Sequence, residues 1–267
     1  MRFAERYGPW AVVMGASEGT GREFARQIAA QGVPSILIAR REQPLKALAK
    51  EIRDESGIEC LTATIDLAAC EAPDRIVEAV GDREIGLFVS NAGSDPNGSF
   101  FLDRKLSAWT ELVQRNVMTM MQCCYHFAGP MRLRGSGGLL LINSGACYGG
   151  GSGMGPYSGS KAFTLCFAEA LWAELRPHRV EVLTLVLNRT DTPAFRALLE
   201  EKGMPVPEGI ASPADVARSG LERLPFGPIH NWGQADEEAG MSASSAAARR
   251  ERVLAIDRIT GQLFGRR

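Results

Sequence analysis

Trp10-Ala11-Val12-Val13-Met14-Gly15-Ala16-Ser17-Glu18-Gly19-Thr20-Gly21 lies near the start of a 267-residue chain, and the rest of the sequence is read outward from it. Trp10 to Met14 is a short apolar run of the kind that forms a buried strand. It passes directly into a turn whose glycines fall as G-x-x-x-G-x-G, at Gly15, Gly19 and Gly21. A helical pattern follows, with Phe24, Ala25, Ile28 and Ala29 on one face. Strand, glycine turn and helix in that order aim free backbone N–H groups at one point, and the helix dipole adds to the attraction for a phosphate. A glycine trio alone is often only a tight turn, and this spacing is not the G-x-G-x-x-G of the older dinucleotide fingerprint. Its position between strand and helix gives it weight, and it makes Gly15, Ser17, Glu18, Gly19, Thr20 and Gly21 candidate phosphate contacts.

A second strand, Ser35 to Ala39, ends at Arg40-Arg41. An acidic residue at such a strand end holds the ribose 2′-hydroxyl of NAD. Guanidinium groups there instead suit a 2′-phosphate, which they bind through charge-assisted hydrogen bonds. The expectation is therefore NADP in preference, with NAD the alternative; two solvated arginines at a strand end would look the same. A helix from Pro44 to Glu55 leads to strand Glu59 to Ile65, which ends at Asp66-Leu67, placed to reach an adenine edge. Another helix, about 71 to 80, precedes strand Ile85 to Ser90, which stops at Asn91-Ala92-Gly93. Such alternation implies a parallel sheet with right-handed crossovers. The next helix spans about 107 to 133 and carries one amide, Asn116, on an otherwise apolar pattern. A buried amide needs partners, so Asn116 is either a structural hydrogen-bonder or part of a site.

Gly138 to Asn143 is another apolar strand, and Ser144 stands at its end. After a glycine-rich loop, Tyr157 and Lys161 lie four apart at the start of a helix that runs to about 176, hence on one face. A free phenol titrates near ~10, and a neighbouring ammonium favours the phenolate. Ser144 is placed to hold a substrate oxygen against Tyr157. A lone Tyr-x-x-x-Lys is more often a plain helix surface. A sixth strand covers Val180 to Leu187.

Taken in order, Gly15-x-x-x-Gly19-x-Gly21, Asn91-Ala92-Gly93, Asn116, Ser144 and Tyr157-x-x-x-Lys161 resemble the short-chain dehydrogenase/reductase family, in its branch of about 250 residues with a single doubly wound domain. The resemblance spans roughly residues 8 to 230. It implies an α/β Rossmann fold with a mainly parallel six- or seven-stranded sheet and helices on both faces, in a single domain over 1–267. It implies Tyr157 as general acid/base, Ser144 orienting the substrate oxygen, and Lys161 lowering the tyrosine's pKa and holding the nicotinamide ribose. Asn116 would anchor a water relaying protons to Lys161, Asn91 to Gly93 would stabilise the sheet beside the cofactor, and Asp66 and Leu67 would border the adenine. Thr190 and Thr192 would meet the nicotinamide carboxamide. A homodimer or homotetramer is expected on the same ground.

The sequence departs from the family where Pro-Gly usually follows the sixth strand; here Leu187-Asn188 stands instead. Loss of both changes the turn's allowed dihedrals, and two readings stand: tolerated drift or a reshaped pocket. Largely apolar side chains are expected around the substrate: Ala146, Tyr148, Met154, Leu187, Asn188, Phe195 and Leu198. Such a lining suits a hydrophobic ketone or secondary alcohol. Residues 188–210 read as a substrate-side lid or, more simply, a packed surface helix, and 241–267 as a C-terminal helical extension. Ser212-Pro213 has the chemistry of a helix start, with serine at the N-cap.

Composition excludes several classes. A formal net charge of −1 gives no electrostatic reason to bind nucleic acid or an anionic membrane. No apolar run approaches the ~20 residues of a spanning helix. The six cysteines show no metal-binding spacing and read as reduced thiols, Cys147 as a small apolar wall residue. A soluble cytoplasmic oxidoreductase is expected. The alternative from another class is a non-catalytic dinucleotide-binding sensor or scaffold on the same fold. A lyase or epimerase that recycles its cofactor fits less well, for want of a separate substrate domain.

Overall fold

The computed structural model describes residues 2–95, 99–148, 153–187, 189–201, 203–233, 247, 248, 250 and 251. Seven strands form one sheet: β1 (Trp10–Met14), β2 (Ser35–Ala39), β3 (Cys60–Thr64), β4 (Ile85–Ser90), β5 (Gly137–Ser144), β6 (Val180–Leu187) and β7 (Ile229–Asn231). Their order is β3-β2-β1-β4-β5-β6-β7 and every pairing is parallel. The expected mainly parallel sheet is thus wholly parallel and has seven strands. All residues of β2 and β4 are buried, as continuous apolar strands covered on both faces must be.

Alternate side chains along β1 divide the interior. Ala11 and Val13 face a core built with Phe24 and Ile28 of α2 (Gly19–Ala30), Leu45 and Leu48 of α3 (Glu42–Ser56), and Val216 of α9 (Pro213–Arg223). Val12 and Met14 face a second core with Ile76 of α4 (Ala72–Val80), Phe127 of α6 (Thr119–Arg134) and Ala168 of α7 (Gly155–Leu175). The period of two in a strand thereby places helices on both faces. Between β1 and β4 the strand order reverses direction, and a crevice opens there past the carboxyl ends of the strands.

Two details differ from the sequence reading, and a third chooses between its alternatives. The helix expected over 107–133 is α5 (Leu106–Val113) and α6, joined by a π-helical turn at Gln114–Met118 that carries Asn116. Such turns are rare and cluster at functional sites; side-chain periodicity does not reveal them. Ser212 stands at the N-cap of α9, but its side chain makes no capping hydrogen bond; its carbonyl accepts from Val216 N instead, at 3.0 Å. The segment after β6 forms a helix, α8 (Pro193–Glu201), held on one side by buried Leu199. Of the expected C-terminal helix, residues 247, 248, 250 and 251 are described and helical; the rest lies outside the described residues. Arg250 donates to the carbonyls of Gly227, at 3.0 Å, and Phe226.

The short last strand carries a testable titration. His230 is 9% exposed, with Nε2 2.9 Å from Ser219 Oγ of α9. Burial, with Arg223 nearby, lowers its pKa from 6.5 to about 4. Between those values the unfolded chain binds a proton that the folded one refuses. Stability is therefore full above about 6.5 and falls as pH drops to about 4, by roughly 2–3 kcal/mol. Urea unfolding of wild type and His230→Asn across that range should show the slope in wild type and a flatter one in the variant. Equal slopes would assign acid sensitivity elsewhere.

Candidate active site

A cavity of about 400 Å³ occupies the crevice. Its floor is the glycine turn. Asn91 Nδ2 donates to Gly15 O at 3.1 Å, fixing the end of β4 to the turn after β1. A Cβ on Gly21 would lie 2.1 Å from Gly15 O, so only glycine allows α2 to start this close to the strand. Gly15, Ser17, Glu18, Gly19, Thr20, Asn91, Ala92 and Gly93 all line the cavity. Gly21 does not; it serves the turn's packing.

Arg40, Arg41 and Arg115 also line the cavity. Arg41 Nη2 sits 2.6 Å from Glu18 Oε2 and 3.3 Å from Ser17 Oγ, so its charge is already matched by a carboxylate. Arg40 makes no ion pair among the described residues. The sequence reading treated these two arginines alike, and the structure separates them. Leu67 lines the cavity. Asp66 does not: it is exposed, and its Oδ1 accepts from Ala68 N at 3.1 Å. Arg115 was missed because it sits on an apolar-periodic helix, where a lone arginine reads as solvated.

Ser144, Tyr157 and Lys161 line the same cavity. Ser144 is the last residue of β5 and Tyr157 stands in the first turn of α7. The two side chains hydrogen-bond to each other. Lys161, one turn on, is 5% exposed; its Nζ donates to Ile142 O at 3.1 Å and lies 5.7 Å from the centre of the Tyr157 ring. Asn143, not among the expected site residues, locks the arrangement. Its Nδ2 donates to Lys161 O at 3.2 Å and its Oδ1 accepts from Ser144 N at 2.9 Å, coupling β5 to α7. Its only sequence signal is a buried amide at the end of an apolar strand.

The electrostatics correct one expectation. Tyr157 is raised above its ordinary 10.0, not depressed: burial favours the neutral phenol, and the Ser144 hydrogen bond only partly opposes this. Lys161 gives ground instead. Burial lowers it from 10.5 to about 8, with Cys147 opposing and Arg115 adding to the fall. The ammonium is drawn to the Ile142 carbonyl and not to the phenol oxygen.

Asn116 lies beside the cavity wall at 5% exposure, with Nδ2 3.2 Å from Ser160 Oγ and Oδ1 without a partner among the described residues. A Cβ built on Gly93 would fall 2.9 Å from Lys161 Nζ and 3.7 Å from Asn116 Oδ1, so glycine alone keeps that space open.

Thr190 and Thr192 line the cavity, with Leu187, Arg189, Ala194 and Phe195. Thr192 Oγ1 accepts from Phe195 N at 3.2 Å, so its hydroxyl caps α8. Ala146, Tyr148, Met154 and Leu198 do not line this cavity. Tyr148 is turned away, its hydroxyl 2.6 Å from Asn231 Oδ1 of β7. Met154 and Leu198 are exposed, at 39% and 45%. Asn188 lies outside the described residues. Cys147 packs with Leu165, Val186 and Ile229, the apolar wall role expected of it. Among the described residues no group of His, Cys, Asp and Glu could hold a metal ion, and no helix is long and apolar enough to cross a membrane.

Fold and site together define a doubly wound dinucleotide-binding oxidoreductase. Residues 9–203 match the model of the short chain dehydrogenase family, and the chain belongs to the short-chain dehydrogenase/reductase family, enzymes that use NAD(P) to interconvert hydroxyl and keto groups. It is 29% identical over 229 residues to a 7β-hydroxysteroid dehydrogenase of Clostridium sardiniense, covering 84% of this chain and 85% of that one. Among solved structures, one of a 7β-hydroxysteroid dehydrogenase superposes with a TM-score of 0.81 at 24% identity, covering 95% of this chain and 99% of that one. A short-chain dehydrogenase from Sphingobium yanoikuyae in complex with NADPH gives 0.77 at 22% identity, with 97% of each chain covered. Both structures share the fold.

Proposed function

We propose that this chain transfers hydride between NADP(H) and a hydrophobic secondary alcohol or ketone, with Tyr157 exchanging the proton. The observation that carries the reading is the hydrogen-bonded Ser144–Tyr157 pair on a cavity that Arg40, without a carboxylate partner among the described residues, also lines. The cavity's residues fit the cofactor: a glycine turn that only Gly21 allows to close, and guanidinium groups at the strand end where a 2′-phosphate belongs. When bound, a reduced nicotinamide supplies the hydride.

The chain's own residues do the rest. Ser144 Oγ–H donates to the substrate oxygen and holds it against the phenol. Tyr157 is kept neutral by burial and is poised to donate its proton to that oxygen, so the resting site is set for reduction of a carbonyl. Lys161, charged below about 8, stabilises the tyrosinate left behind. Asn116 Oδ1 and Lys161 Nζ face the space kept by Gly93, which suits a water relaying a proton back to the phenol. Leu187 pairs in register with Ser144 on the next strand and, with Ala194 and Phe195, supplies an apolar wall for a hydrophobic substrate. The segment after β6, whose Thr190, Thr192, Ala194 and Phe195 line the cavity, acts as the substrate-side lid, and the chain works as a homodimer or homotetramer.

Titration with NADPH and NADH, followed by tryptophan fluorescence, tests the cofactor half of the reading. NADPH should bind at least ten times tighter. Equal binding would reduce Arg40 to a solvated strand-end charge.

A further inference from the structure

Arg115 belongs to the cavity in a way the reading above does not use. It sits on the π-helical turn one residue before Asn116, half-buried, and lines the same cavity as Arg40. One Nη donates to Ser94 O at 3.2 Å, which anchors the side chain after β4. A guanidinium carries five donors, and among the described residues Arg115 has no other hydrogen bond and no ion pair. Burial pushes Arg115 below its ordinary range, and Arg40 is near enough for the two like charges to repel and add to the fall; Asp66, Asp95 and Glu111 act in the opposite sense.

The local charges do not balance. Of the four guanidiniums that line the cavity, Arg41 is matched by Glu18 at 2.6 Å and Arg189 follows β6, while Arg40 and Arg115 act on each other. Two like charges held together on partly dry walls favour an anion between them. A phosphate monoester carries close to two negative charges at neutral pH, so it matches the pair; a ribose hydroxyl does not.

We propose that Arg115 is a specificity-determining residue for the cofactor, its guanidinium pairing with the 2′-phosphate of NADP opposite Arg40. This rests on the NADP reading above. Arg41, the neighbour that the sequence offers for the task, is occupied by Glu18, and the π-helical turn between α5 and α6 supplies the replacement from a different element.

The test measures dissociation constants of NADPH, NADH and 2′,5′-ADP for wild type, Arg115→Met and Arg115→Lys. Arg115→Met should weaken NADPH and 2′,5′-ADP by about 10–100-fold, the span of one charged hydrogen-bonded contact, and leave NADH unchanged. Arg115→Lys should recover part of the loss. Unchanged NADH binding also shows that the variant is folded. If NADPH and NADH weaken alike, Arg115 acts on the shared adenine or as a structural support, and the proposal is overturned. If wild type prefers NADPH and Arg115→Met does too, by the same margin, this inference fails alone. If wild type shows no preference, the NADP reading itself fails.

Discussion

Tyr157→Phe is expected to lower turnover by about 10²–10⁴-fold, the contribution of one positioned proton-transfer group. NADPH binding should stay within a few-fold of wild type. The variant removes one oxygen from a half-buried ring that keeps its place over Lys161. Among the described residues its polar partner is the Ser144 hydroxyl, which still accepts from Ala146 N at 3.3 Å without it. Folding should hardly change. Loss of turnover with binding intact places Tyr157 in the chemical step. Comparable loss of binding and turnover would make it a packing residue, and retained turnover would contradict the assigned role. The measurement is kcat and KM for a confirmed ketone, beside a fluorescence titration of the cofactor.

The second large effect is on Lys161 and has two signs. Lys161→Met should reduce turnover by a similar factor, since a neutral side chain no longer stabilises the tyrosinate. It should also make the protein more stable. Burial lowers Lys161 from 10.5 to about 8, so between those values the unfolded chain binds a proton the folded one lacks, and stability rises with pH through that window. Below about 8 the folded state bears the full cost of the buried charge. Methionine removes that cost but loses the hydrogen bond to Ile142 O, for a net gain of about 1–3 kcal/mol at neutral pH. Thermal unfolding at neutral pH should show a higher Tm for the variant, and the difference should shrink toward pH 10. A variant that is inactive and also less stable would show that Lys161 is held for structure. In wild type, activity that depends on the Lys161 cation should decline as pH rises through about 8.

Much of this was legible in the sequence because it rests on short-range rules. A strand that runs into Gly15-x-x-x-Gly19-x-Gly21 and then a helix has few other uses. Tyr157 and Lys161 share a face because a helix repeats every 3.6 residues. Buried apolar runs such as Ile85 to Ser90 and Val180 to Leu187 announced a parallel sheet covered on both sides, and the strand ends then placed the crevice. The illegible parts depend on contacts distant in sequence. Glu18 and Arg41 meet across 23 residues, so nothing local shows that one arginine is neutralised while Arg40 is not. Arg115 turns to the cavity from a π-helical turn that side-chain periodicity cannot register. Asn143 matters through the Lys161 carbonyl 18 residues away. Desolvation decided the tyrosine: spacing brings an ammonium to the right face, but the depth of the site raises the phenol and lowers the amine.

The Leu187-Asn188 departure now has a partial account. Leu187 closes β6 in register with Ser144 and lines the cavity, so the change falls on the wall nearest the reacting oxygen. It bears on which ketone fits, and leaves the proton-transfer group intact.

One measurement bears most directly on the central claim. Consumption of NADPH would be followed with a panel of bulky hydrophobic ketones, for wild type and Tyr157→Phe side by side, with NADPH binding confirmed for both. The account predicts turnover of at least one ketone by wild type and its loss in the variant. Tight NADPH binding by both with no ketone reduced by wild type would contradict it and favour a dinucleotide-binding sensor on this fold.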